Sequence, residues 1–243
     1  MNWTLIGLFI LISYTLEAIT GFGSIVIALS LGALILPMDQ LLPVLVPLNI
    51  FMSGFLVVKH RQHILWPLLL KIIAPLMVLG TIAGAWLRPA LAGGLLAVLF
   101  AVVIAVFGAR ELYRSFGANP VQAHPRWLNQ LLMAGAGLTH GLFASGGPLL
   151  VFALAGTHAN KSQMRATLLA VWFSLNCLLT LLFLLDGQLL PVLPKILMFL
   201  PLLLVGVWLG EKLHHALSDL AFRRLIYSIL LTTGLLLLLR ALL

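Results

Sequence analysis

Glu17 is the one carboxylate set well inside an apolar stretch of this 243-residue chain. An ionisable group in hydrocarbon is costly, and a carboxyl there can couple transport to a proton by titrating. If its helix ends shallowly, the same group reaches interfacial water instead. Asn49 and Asn176 also interrupt apolar runs. A buried amide needs partners, so both should face the protein interior, either lining a site or bonding helix to helix. His140 can donate to an anion, carry a proton, or serve as a satisfied structural histidine. Two glycine-rich breaks accompany them, Thr20-Gly21-Phe22-Gly23-Ser24 and Ala144-Ser145-Gly146-Gly147-Pro148. Where a helix restarts, its first N–H groups are unpaired and carry partial positive charge. Glycine lets a ligand approach that backbone, and Pro148 suits a first turn because it has no N–H to leave unpaired. Two such ends meeting at mid-membrane can hold an oxyanion without a buried Lys or Arg. Thr20, Ser24, Thr139 and Ser145 add hydroxyl donors. The competing reading of the glycines is close helix packing, which is preferred for Gly80-x-x-x-Gly84 and Gly206-x-x-x-Gly210. Arg165, shortly after Lys161, either draws anions to a cytoplasmic mouth or simply sets topology.

These side chains need a frame, and composition says it is a membrane. Hydrophobic residues make up 62% of the chain, charged residues 8%, and the mean hydropathy is +1.16. No soluble domain of this size hides that much apolar surface. Eight apolar segments follow one another, over about residues 4–36, 41–58, 66–87, 91–109, 127–157, 165–185, 189–209 and 220–243. The first and fifth are too long for one straight span and contain the two breaks. Met1-Asn2-Trp3 has no basic character, so the first segment reads as a retained helix rather than a cleaved signal. The formal charge of +8 sits in loops and helix ends, which is topology signalling and not a nucleic-acid surface. Lys71 and Lys195 read as snorkelling side chains, and the six tryptophans as an aromatic belt. The single Cys177 excludes an internal disulfide and cannot build a thiolate metal site. No P-loop, metal cluster or cofactor motif is present.

Repetition organises the frame. Pro75, Gly80, Gly84, Gly108 and Arg114 recur as Pro201, Gly206, Gly210, Gly234 and Arg240 at a constant offset of 126. Leu48-Asn49 and Leu175-Asn176 miss that offset by one residue. The pattern predicts a duplicated unit, with residues 1–115 as the first repeat, 116–126 as a cytoplasmic linker and 127–243 as the second repeat. Lys59 and Arg61, then Arg110, Arg114 and Arg126, then Lys161 and Arg165, then Lys212, Arg223 and Arg224 all mark cytoplasmic loops. Both ends of segment five therefore claim the cytoplasm, which predicts a re-entrant hairpin whose arms are each too short to cross. By duplication segment one is the same kind of hairpin. Three crossings per repeat then invert the second repeat relative to the first. The loops near Asp39 and Asp186 fall outside, with Arg88 a mild exception. The fold class is thus an all-α polytopic membrane protein of two inverted repeats, each a broken hairpin plus three transmembrane helices. Eight plain crossings are the rival topology.

Glu17-Ala18-Ile19-Thr20-Gly21-Phe22-Gly23 followed by Pro47-Leu48-Asn49 resembles the first repeat of the sulfite exporter TauE/SafE family of membrane permeases. Thr139-His140-Gly141-Leu142-Phe143-Ala144-Ser145-Gly146-Gly147-Pro148, then Arg165-Ala166-Thr167 and Asn176, resembles its second repeat more closely. The first repeat has Gly-Phe-Gly-Ser where the second has Gly-Gly-Pro. The resemblance implies a multi-pass bacterial inner-membrane transporter of small sulfur-containing anions such as sulfite or organosulfonates. Its partners would be that anion and membrane lipid, with no nucleic acid, and a homodimer is compatible with the reading. The alternatives are an intramembrane enzyme acting on a phosphorylated lipid, or an anion channel. Such an enzyme would need clustered carboxylates or an Arg-Ser phosphate motif near the breaks, and the residues there are Glu17 and hydroxyls.

Overall fold

Hydrocarbon offers no hydrogen-bond partner to a backbone, so a chain this apolar closes its N–H and C=O groups inside helices. A computed structural model describes residues 2–91, 94–117, 125–154, 160–213 and 219–242, and among these there is no strand. The helices are α1 (Asn2–Thr20), α2 (Ser24–Ala33), α3 (Met38–His60) and a short α4 (Trp66–Leu68). A π-helical stretch, Leu69–Ile73, leads from α4 into α5 (Ala74–Leu87). Then follow α6 (Gly94–Arg114), α7 (Arg126–Phe143), α8 (Gly147–Ala153), α9 (Lys161–Leu185), α10 (Leu193–Leu213) and α11 (Asp219–Leu242). Six stretches among the described residues are long and apolar enough to cross a membrane: Trp3–Thr20, Met38–His63, Trp66–Leu91, Gly94–Arg114, Ser162–Leu185 and Leu190–Leu213. The molecule is an all-α polytopic membrane protein. Most of the linker expected over 116–126 lies outside the described residues.

Both long segments break where glycine was expected to break them. Gly21 and Gly23 adopt positive φ of 86° and 107°, and Ala144 is left-handed at 51°, so the chain reverses at each point. A Cβ on Gly32 would meet the side chains of Leu41 and Ile6, so the end of α2 lies beside the starts of α1 and α3. In the second hairpin Gly146 rests on Ala136 and His140, and Leu149 is the nearest contact of Gly135. One expectation changes. At ten and seven residues, α2 and α8 reach only about 15 and 10 Å. The nineteen-residue α1, by contrast, is long and apolar enough to cross by itself, so the first hairpin does not have two short arms.

In lipid, helices associate through close packing rather than through hydrophobic burial, so small residues decide which faces meet. The repeated glycines mark those faces. Gly80 and Gly84 rest on the α7 backbone around Gly137 and Gly141, while Gly206 and Gly210 rest on α1 around Leu11, Thr15 and Ala18. Contacts rise together in number along both pairs, so α5 runs parallel to α7, and α10 parallel to α1. Gly108 meets Tyr227 and Leu231, and Gly234 meets Ala101 and Ala105, so α6 and α11 pack antiparallel. Asn49 against Asn176, Gly54 against Phe173 and Leu65 against Thr167 make α3 and α9 antiparallel too.

Charge separates the two ends. Lys59 of α3 and Arg165 of α9 both pair with Glu211 of α10, and Arg110 of α6 lies 3.8 Å over the Phe152 ring of α8. At the opposite end Arg88 is buried, stacked on Phe183, in the field of Asp39 and Asp186. Two nearby carboxylates account for an arginine among otherwise acidic loops.

Candidate functional site

The two breaks face one cavity. It is small and open on one side, with Phe22, Ile25, Val26 and Trp172 as apolar walls. Its polar lining comes from Glu17 at the end of α1, Asn49 on α3, His140 on α7, Ser145 in the second break and Asn176 on α9. Gly23 and Gly147 line it at the starts of α2 and α8. Among the described residues, none of the lining side chains is Lys or Arg. Glu17, Asn49, His140 and Asn176 are each at most 2% exposed.

A row of hydrogen bonds crosses this region. Glu17 Oε2 accepts from the Ser24 backbone N–H at 2.7 Å, and Glu17 Oε1 accepts from Asn49 Nδ2 at 2.9 Å. The same Nδ2 lies 2.9 Å from Ser24 Oγ. Asn176 Nδ2 then donates to Asn49 Oδ1 at 2.7 Å. The two asparagines, far apart in the sequence, therefore touch each other. Glu17 is no interfacial group, since its carboxylate closes the N-terminus of α2, where negative charge is favoured. That is also a departure from expectation, because the first helix end that was to receive the substrate already holds a carboxylate.

The second break is built on the same spacing with different chemistry. Glu17 lies seven residues before Ser24, the first residue of α2, and His140 lies seven before Gly147, the first residue of α8. The His140 ring stacks on Trp172 with centroids 5.7 Å apart, and neither ring nitrogen has a hydrogen-bond partner among the described residues. Asn176 Oδ1 is buried and unpartnered as well. Unsatisfied polar atoms cost about 1–3 kcal/mol each, so a ligand or water that bonds them is favoured at this spot.

The other expected site residues whose side chains are described fall outside the cavity lining. Thr20 spends its hydroxyl locally on the Leu16 and Phe22 carbonyls, at 2.9 and 2.8 Å. Thr139 does the same with Ala136. Gly21 packs against Arg165, and its carbonyl accepts the Trp172 indole N–H at 3.1 Å. Ser24 is reached only through Asn49, Gly146 packs on Ala136, and Pro148 sits in the first turn of α8. Arg165 lies outside the lining and is held by protein groups. Its guanidinium donates to the Ala18 carbonyl at the end of α1 and to Glu211 Oε1, the latter at 2.7 Å.

Trp172 and Phe22 are the lining residues that sequence reasoning missed. Trp172 was assigned to the membrane belt, yet it is buried in the middle of α9. Its position four residues before Asn176 was the available signal, since i and i+4 share a helix face. Among known proteins, the model of one family, described as Sulfite exporter TauE/SafE, matches residues 5–237. No curated protein and no solved structure gives a significant match.

Proposed function

Because the chain belongs to the sulfite exporter TauE/SafE family, whose members are membrane permeases, we propose that it carries a small sulfur-containing oxyanion. The substrate is sulfite or a short organosulfonate, bound in the cavity between the breaks in a bacterial inner membrane. One observation carries this reading: the buried ring of His140 and the buried Asn176 Oδ1 lie beside each other at that cavity, and neither makes a well-formed hydrogen bond among the described residues. Ser145 and the Gly147 backbone complete the anion's surroundings.

Alternating access between two inverted repeats is the mechanism. It is supported by α3 and α9, and α6 and α11, running antiparallel, while α7 packs on α5 and α1 on α10, the second crossing of the other half in each case. Rocking one repeat against the other about the Asn49–Asn176 contact would expose the cavity to each side in turn.

Electrostatics couples this movement to a proton. Two negative charges roughly 5 Å apart repel by about 3 kcal/mol at an effective dielectric constant near 20. With no cationic side chain in the lining, an ionised Glu17 and a bound anion oppose each other. A proton on Glu17 therefore accompanies the anion. The reading is tested with purified protein in lipid vesicles. Thermal shifts with sulfite, sulfate, thiosulfate, taurine and sulfoacetate identify the ligand, and flux of that ligand follows. Absence of both binding and flux would sink the assignment.

A further inference from the structure

The row from Glu17 to the cavity has its orientation set from one end. An ionised carboxylate only accepts hydrogen bonds. Asn49 must therefore turn its Nδ2 toward Glu17 Oε1, and it then shows Oδ1 to Asn176. Asn176 must in turn offer Nδ2 to that oxygen, which leaves its own Oδ1 at the cavity beside the His140 ring, with no well-formed hydrogen bond among the described residues. A carbonyl oxygen at that place repels an anion.

Placing a proton on Glu17 Oε1 reverses every direction in the row while keeping every contact. The carboxylic O–H and the Ser24 hydroxyl donate to Asn49 Oδ1. Asn49 Nδ2 donates to Asn176 Oδ1, and Asn176 Nδ2 points into the cavity. The Ser24 N–H bond to Oε2 is untouched. The amide oxygen and nitrogen are nearly identical in shape, so the flips need no new space. We propose that Glu17, Asn49 and Asn176 form a proton-driven amide relay that changes the cavity from anion-repelling to anion-accepting. His140 supplies a second donor from the other side. The inference rests on the permease reading above and specifies how its proton is sensed.

Other titratable groups lie around Glu17. Tyr14 of α1 donates to the Leu45 carbonyl at 2.6 Å, and α2 contributes only the Ser24 hydroxyl. His140 of α7 shares the cavity. Arg165 of α9 holds Glu211 of α10, where Lys59 and His60 of α3 also gather. These last four form their own cluster, and none of them hydrogen-bonds a member of the relay.

Two probes separate the relay from plain charge repulsion. Methanesulfonate is a monoanion at every working pH, and dimethyl sulfone presents similar oxygens with no charge. Calorimetry on the full-length wild-type protein should show about one proton taken up per methanesulfonate bound. The sulfone, read by competition with methanesulfonate, should lose roughly tenfold in affinity as pH rises through the Glu17 titration, one hydrogen bond's worth. In Glu17→Gln the side-chain amide donates to Asn49 Oδ1 permanently, so both probes should bind with no pH dependence and no proton uptake. A sulfone that competes equally at both pH values, or at neither, overturns the relay while leaving the permease reading intact. If methanesulfonate also fails to bind at any pH, and the five-anion screen is blank, the permease reading falls with it. The wild-type titration decides the matter even where the variant does not fold.

Discussion

At the first break both helix ends are already neutralised; at the second they are open. Glu17 lies on the N-terminus of α2 and Arg165 on the last carbonyls of α1, each opposing the local helix dipole. The matching place in the second break holds His140, whose buried ring nitrogens make no hydrogen bond among the described residues, and α7 ends in left-handed Ala144. The spacing of seven is the same in both. The comparison teaches that one frame can divide its labour; in the function proposed above, the closed break would hold the proton and the open break the anion.

The largest expected effect comes from filling the open break. A Cβ on Gly147 would stand 3.3 Å from Phe22 Cδ2 and 3.6 Å from Trp172, so Gly147→Leu places a branched side chain in the cavity. Anion flux in vesicles should be lost while membrane insertion is normal. Full flux would remove the cavity from the pathway.

Next comes the closed break. Arg165→Met strands the Ala18 carbonyl and leaves Glu211 to Lys59 alone, and should cost about 2 kcal/mol of unfolding free energy in mixed micelles. A cost under about 1 kcal/mol would mean that the pair is effectively solvated.

Packing sharpens the comparison further. A Cβ on Gly84 would collide with the Leu138 carbonyl oxygen, whereas on Gly206 it stands 3.2 Å from Leu11 O. Gly84→Ala should therefore cost about 1–3 kcal/mol and Gly206→Ala clearly less, by the same unfolding assay. Equal costs would show that both interfaces relax alike.

The smallest effect separates the two chemistries. His140→Phe keeps the stacking surface on Trp172 but removes the ring nitrogens. Binding of methanesulfonate should weaken roughly tenfold, the worth of one hydrogen bond, with the proton uptake unchanged. A change in uptake instead would move the proton from Glu17 to His140.

Much of this was readable in the chain, and the rest was hidden for physical reasons. Glycine offsets marked the interfaces because only glycine allows backbones so close, and Asn49 and Asn176 marked the interior because hydrocarbon tolerates no free amide. Thr20 was misjudged, although threonine in a last helical turn often returns its hydroxyl to the carbonyl four residues back. Arg165 looked free because Glu211 stands 46 residues away on another helix, a pairing that no local pattern encodes. Trp172 looked like a belt residue because tryptophan is common at interfaces and its shared face with Asn176 is a quieter cue. The length of α1 was underread because the short arms inferred for the second hairpin were carried over to the first by duplication.

Acid-driven accumulation of sulfite in vesicles, compared between wild type and Glu17→Gln, tests the coupling most directly. The wild-type protein should concentrate the anion on the side toward which protons flow. Glu17→Gln should only equilibrate it, while still exchanging label across the membrane. Accumulation by the variant equal to wild type would contradict the role assigned to this carboxyl.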